Sequence, residues 1–253
     1  MDVTSDPSGP GSRDAAIGGD ARDSGLRSLR HAARAQEWLA AGLAMTAGFV
    51  DAYGIITYGT YLSFMSGNTT QAGTRAAQGD YGGALASSAA IVSFVGGGFA
   101  GALLTTAVAR RTRRLIFGVV AASLALIIGL TRLGGLSSGV HVALLGFAMG
   151  FMNTALSRVG AQSVSLTFVT GTLSRLGTQL ALALRRAAVP DSHGAWDTHV
   201  HRALVMARIW AAFLAGAALS GAVTPRVGAL GLLVPLLILS ALAVFDHTAG
   251  TPA

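Results

Sequence analysis

The uncharged run from Tyr81 through Ala109 is the feature that most restricts what this chain can fold into. A helix rises about 1.5 Å per residue, so some 20 apolar residues span a hydrocarbon core about 30 Å thick while satisfying their own backbone hydrogen bonds. Further apolar blocks follow. Charged residues make up only 11% of the chain, against roughly 25% in soluble domains. The chain is therefore expected to be an integral membrane protein.

Six crossings are expected: one from Trp38 through Leu62, and others at Gly83–Ala109, Leu115–Thr131, Val140–Leu156, Ala203–Val223 and Val227–Phe245. Thr224–Arg226 is read as the turn of the last hairpin. Ser163–Val189 carries Arg175 near its middle and reads as a partial, re-entrant or interfacial segment, the alternative being a seventh crossing. All 18 basic residues are arginine. Placing the N-terminus inside puts 14 of them in cytoplasmic segments and leaves Arg75, Arg132 and Arg226 outside, with Arg208 alone inside a crossing. Both termini are thus expected in the cytoplasm.

The expected organisation is a largely disordered cytoplasmic segment over 1–36, a membrane domain over 37–246 and a short tail over 247–253. Within the first of these, Leu26–Glu37 reads as a short amphipathic helix along the membrane. The segment lacks the basic head, apolar core and small-residue cleavage site of a signal peptide. With no cysteine there is neither a disulfide framework nor a thiolate metal site. The arginines flank helices and form no basic domain with aromatics, which argues against nucleic acid as a partner.

A repeat lies within the membrane domain. Gly48-Phe49-Val50-Asp51 precedes Ser63-Phe64-Met65-Ser66-Gly67-Asn68-Thr69, and Gly150-Phe151-Met152-Asn153 precedes Thr167-Phe168-Val169-Thr170-Gly171-Thr172, at offsets of 102 and 104 residues. Three crossings per unit would invert the second unit relative to the first. The fold class expected is therefore an all-α, six-helix bundle of two inverted three-helix repeats, about 37–133 and 139–246, with a broken or re-entrant element in each.

The polar residues at the breaks are the candidate binding groups: Asn68 and Thr69 in the first unit, Asn153, Thr170 and Thr172 in the second. Alternatively, Ser66 or Asn68 simply caps a helix before an ordinary loop. Asp51 is costly inside a crossing unless a cation, polar group or water meets it. Its readings are an ion pair with Arg208, a proton- or substrate-coupling role, or an interfacial or backbone-capping role. Asn153, its counterpart in the repeat, keeps the hydrogen bonding without the ionisable group.

His141, at the entrance of a crossing, reads as an interfacial hydrogen-bonding residue or a proton relay. His193, His199 and His201, near Asp191 and Asp197, lack metal-site spacing. No catalytic triad, phosphate loop or carboxylate pair is present, so neither enzyme activity nor a cofactor is expected. Gly97 with Gly101, and Gly146 with Gly150, read as sites of close helix packing.

The motifs GFVDA at Gly48–Ala52, MSGNT at Met65–Thr69, AMGFMN at Ala148–Asn153 and TFVTGTLSRLG at Thr167–Gly177 resemble the YoaK-like family of bacterial membrane proteins of unknown function. The resemblance covers most of Trp38–Phe245 and implies a polytopic inner-membrane protein. Ser66 stands where threonine is more usual and Met152 where glutamine often precedes the asparagine, which weakens an amide-ligand role at position 152. The resulting expectation is a permease-like transporter, with the lipid bilayer, a small solute and, in a homo-oligomer, a second copy as partners. The alternative is a membrane adaptor, scaffold or sensor that does not transport.

Overall fold

The computed structural model describes residues 10–107, 112–134, 137–156, 169–189, 192 and 194–249. Arg110, Arg111, Arg158, Thr167, Phe168, Asp191, His193 and the segments 1–9 and 250–253 lie outside the described residues. Eight helices follow in order among the described residues: α1 Pro10–Tyr58, α2 Met65–Ala77, α3 Tyr81–Ala107, α4 Thr112–Arg132, α5 Ser138–Leu156, α6 Val169–Leu184, α7 His199–Val227 and α8 Leu233–Ala249. The chain is an all-α membrane protein.

Among the described residues, three stretches are long and apolar enough to cross a bilayer: Ala33–Tyr58, Tyr81–Thr106 and His199–Val244. A shorter apolar stretch covers Ile116–Arg132. The third long stretch has 46 residues, which as one straight helix would be about twice the thickness of the hydrocarbon core. It is folded back instead by a 3-10 turn at Gly228–Leu232, where Gly228 takes φ 55° and donates its N–H to the Thr224 carbonyl.

Sequence placed that turn at Thr224–Arg226, but α7 runs through Pro225 to Val227. A proline in the last turn forfeits a single backbone bond there, and the left-handed glycine ends the helix. The N-terminal part also differs from expectation. In place of a disordered stretch and a separate amphipathic helix, α1 is continuous from Pro10 into the first crossing. Leu26–Glu37 is rich in Ala, Arg and Leu, all good helix formers, so the membrane-anchored helix propagates outward through it.

α1 packs along α7, and α3 along α5, in the two most extensive helix pairs. Both pairs are parallel. Glu37 meets His201 and Arg208, while further along Gly48 faces Phe213 and Met45 faces Gly216. A Cβ at Gly48 would overlap the Phe213 carbonyl oxygen, and one at Gly216 that of Met45. The second pair repeats this contact, since a Cβ at Gly97 would overlap the Phe147 carbonyl and one at Gly150 that of Phe94. Met45 and Gly48 become Phe147 and Gly150 on adding 102, while Phe94 and Gly97 become Phe213 and Gly216 on adding 119.

The remaining pairings follow the same scheme: α2 lies on α3 and α6 on α7, α4 lies on α5 and α8 on α1, and α4 meets α8. These symmetric contacts point to an internal repeat. α8 runs antiparallel to α1, with Gly42 against Leu242 and Phe49 against Gly231. The shared core includes Leu43, Val50 and Tyr53 of α1, Ile116, Phe117 and Leu124 of α4, and Leu145 and Met149 of α5. Leu85, Val92, Val95, Phe99 and Leu103 of α3 and Leu204 and Leu214 of α7 are exposed. Large apolar side chains facing outward on such helices suit lipid as the surrounding solvent.

Candidate functional site at the helix breaks

α1 ends at Tyr58 because Gly59 adopts φ 66°, with its N–H bonded to the Ile55 carbonyl. Residues 59–64 then leave helical geometry before α2 begins at Met65. Freed backbone N–H groups inside a membrane protein require new acceptors. Asp51, only 4% exposed, supplies them. Its Oδ1 accepts the N–H groups of Leu62 at 2.8 Å, Ser63 at 2.6 Å and Phe64 at 3.3 Å, and its Oδ2 accepts the Ser63 hydroxyl at 2.7 Å.

Asn68 completes the break from the other side. It is fully buried, accepts the Tyr61 N–H at 3.0 Å and donates to the Tyr61 carbonyl at 2.7 Å. Its amide thus does for Tyr61 what a neighbouring peptide group would do. Among the described residues the buried Thr60 hydroxyl meets no hydrogen-bond partner. Arg75 of α2 donates to the Gly59 carbonyl at 2.9 Å and the Gly83 carbonyl at 3.3 Å, tying the end of α1 to the start of α3.

The expected ion pair between Asp51 and Arg208 is corrected by these contacts. Arg208 Nη1 lies 3.0 Å from Glu37 Oε2, and His201 Nε2 lies 3.0 Å from Glu37 Oε1. Glu37, just before the crossing, offers a carboxylate at the mouth of the α1–α7 pair, where the long arginine side chain can remain partly solvated. Asp51 is satisfied by uncharged donors, the backbone-capping alternative among its readings. The ionic contact between α1 and α7 is made by Glu37, which sequence reasoning passed over.

The other candidate residues lie on α2, α5 and α6. The Thr69 hydroxyl is exposed and donates to the Met65 carbonyl at 2.8 Å. Thr170 is exposed near the start of α6, whereas Thr172 is buried. Asn153 is half-buried on α5, next to Thr154, whose hydroxyl donates to the Gly98 carbonyl of α3 at 3.1 Å. The histidines in the first turn of α7 have separate partners: His199 meets Gln179 at 2.8 Å, and His201 meets Glu37. Asp197 holds Arg202 through two bonds of 2.7 and 2.8 Å.

Sequence reasoning also missed Ser63, whose hydroxyl and N–H both serve Asp51, and Arg75, read only as an external charge. A carboxylate placed 14 residues before a helix start is a weak signal for the first. No pattern marks the second.

A family model described as a protein of unknown function, DUF1275, matches residues 39–245. A UPF0700 transmembrane protein of Rhizobium meliloti (strain 1021) is 33% identical over 201 residues, covering 79% of this chain and 80% of that protein. No solved structure matches the chain.

Proposed function

The chain belongs to the DUF1275, or YoaK-like, family of unknown function, and from that premise we propose that this multi-pass membrane protein is a permease-like carrier of a small solute. The observation that carries this reading is the symmetric placement of two short amphipathic helices, α2 on α3 and α6 on α7, each preceded by a GF-x-[DN] helix. In this reading α1–α4 and α5–α8 are inverted repeats with three crossings each, and α2 and α6 are their half-spanning elements. α4, α5 and α8 have 21, 19 and 17 residues, close to the ~20 a crossing needs. Repeat interfaces containing broken helices are where carriers bind solutes.

With Asp51 and Asn68 taken up by the chain's own backbone, their role in the carrier is to hold the break open to a fixed width. Solute contacts then fall to Thr69, Asn153, Thr170 and Thr172. The carrier is non-enzymatic and sits in the inner membrane with both termini cytoplasmic. A ligand-stability screen in a native-like membrane, followed by flux in proteoliposomes, tests the reading. The expected result is saturable movement of a stabilising solute, reduced by Thr69→Val or Thr170→Val at unchanged thermal stability. Absence of flux across a broad solute panel, with and without a proton gradient, would overturn it. The saturation of Asp51 and Asn68 favours a second reading, a non-transporting adaptor, which would show specific crosslinked partners and no solute response.

A further inference from the structure

We infer that the mouth of the α1–α7 pair binds the phosphate of an anionic phospholipid, with Arg208 as the principal contact and Arg30 and Arg34 as supporting charges. Arg208 interrupts an outward-facing strip of α7: Val200, Leu204, Ala211 and Ala215 are exposed around it, and the arginine itself is 54% exposed. Among the described residues its hydrogen-bond partner is Glu37, met through Nη1 at 3.0 Å, which leaves Nε and Nη2 to donate elsewhere. The inference stands apart from the carrier reading, because it concerns the lipid-facing surface whether or not a solute crosses.

Helix length sets the depth of these residues. The helix rise carries α1 about 30 Å from Trp38 to its end at Tyr58, and α7 about 28 Å from Arg208 to its end at Val227. Each span is close to the ~30 Å thickness of a hydrocarbon core. With the far ends of the two parallel helices at one boundary, Trp38 and Arg208 lie together at the other, where phosphates begin. Trp38 is 74% exposed, as suits an aromatic anchor at that level. Arg30 and Arg34 precede Trp38 by eight and four residues, so they share its face of α1 on the aqueous side, and both are exposed.

The helix crossing itself does not require the arginine. α3 and α5 make the same glycine-to-carbonyl crossing, and the positions corresponding to Arg208 and Glu37, on subtracting 119 and adding 102, are Ala89 and Gly139. A half-exposed ion pair adds little to stability in any case. A guanidinium fork instead matches the oxygens of a phosphate with parallel N–H donors, and a single bond to Glu37 does not use it up. Arg30, Arg34 and Arg208 outweigh Glu37, so the surface at headgroup depth is net positive. That charge complements an anionic headgroup and gives a zwitterionic one no advantage.

The full-length protein in phosphatidylcholine vesicles tests this, with part of the lipid carrying brominated chains as a contact quencher. Trp38 and Trp210 neighbour Glu37 and Arg208 in sequence and report at this depth, while Trp196→Phe removes the third tryptophan. Brominated phosphatidylglycerol is expected to occupy the site in preference to brominated phosphatidylcholine on the order of fivefold. Arg208→Gln should abolish the preference, and Arg30→Gln with Arg34→Gln should lower it in part. Arg208→Lys keeps the charge without the fork and should give an intermediate value, which serves as the test if the glutamine variant folds poorly. Glu37→Gln breaks the ion pair but keeps the guanidinium, so the preference should persist. Equal quenching by the two lipids, an undiminished preference in the Arg208 variants, or its loss in Glu37→Gln would overturn the inference. So would a preference abolished by inorganic phosphate but not by chloride of equal ionic strength, which would assign the site to a soluble anion.

Discussion

At the scale of single residues, Asp51 is tolerable in an apolar core because three backbone N–H groups and one hydroxyl converge on it. Asparagine can place its carbonyl where Oδ1 sits and donate its amide to the Ser63 hydroxyl, which turns to accept. Asp51→Asn is therefore expected to lower stability by about 1 kcal/mol or less, whereas Asp51→Leu strands buried donors and costs on the order of 3 kcal/mol or more. Thermal unfolding in detergent measures both, and equal losses would refute the capping role. Glu37→Gln is expected to cost no more than about 1 kcal/mol, since Arg208 is 54% exposed and an ion pair of that kind is screened by water. The need for a partner at Asp51 was legible in the sequence from burial of a charge. The partner was not, because every residue carries the same N–H and only the break frees it.

At the scale of helices, the close crossings of α1 with α7 and α3 with α5 rest on glycines that leave room for a facing carbonyl. Gly216→Val and Gly97→Val are each expected to destabilise by about 1–3 kcal/mol or more, through forced separation of backbones. Gly118→Ala and Gly221→Ala meet nothing within 4 Å and should be neutral or gain up to about 1 kcal/mol. Detergent melting curves across these four variants check the contrast, and a uniform response would count against it. The Gly97 and Gly150 positions were legible as small-residue packing sites. The partner helices were not, because a glycine records only that something approaches.

At the scale of the whole molecule, the arginine bias and the repeat make one topological prediction. In intact cells, an impermeant thiol reagent is expected to label Gln78→Cys, between α2 and α3, and to reach Ser192→Cys, before α7, only after permeabilisation. The reverse pattern would invert the proposed orientation. By itself the sequence determined the solvent, most helix locations, the repeat and the family resemblance, because hydropathy and motif spacing are properties of contiguous segments. It did not place the last turn, which depended on a left-handed Gly228 rather than on the more conspicuous Pro225. Only the tertiary structure decided that Asp51 serves a helix break while Glu37 takes Arg208. Those choices depend on which backbone groups lose their helical partners and which side chains reach them, and neither is encoded in residue type along the chain.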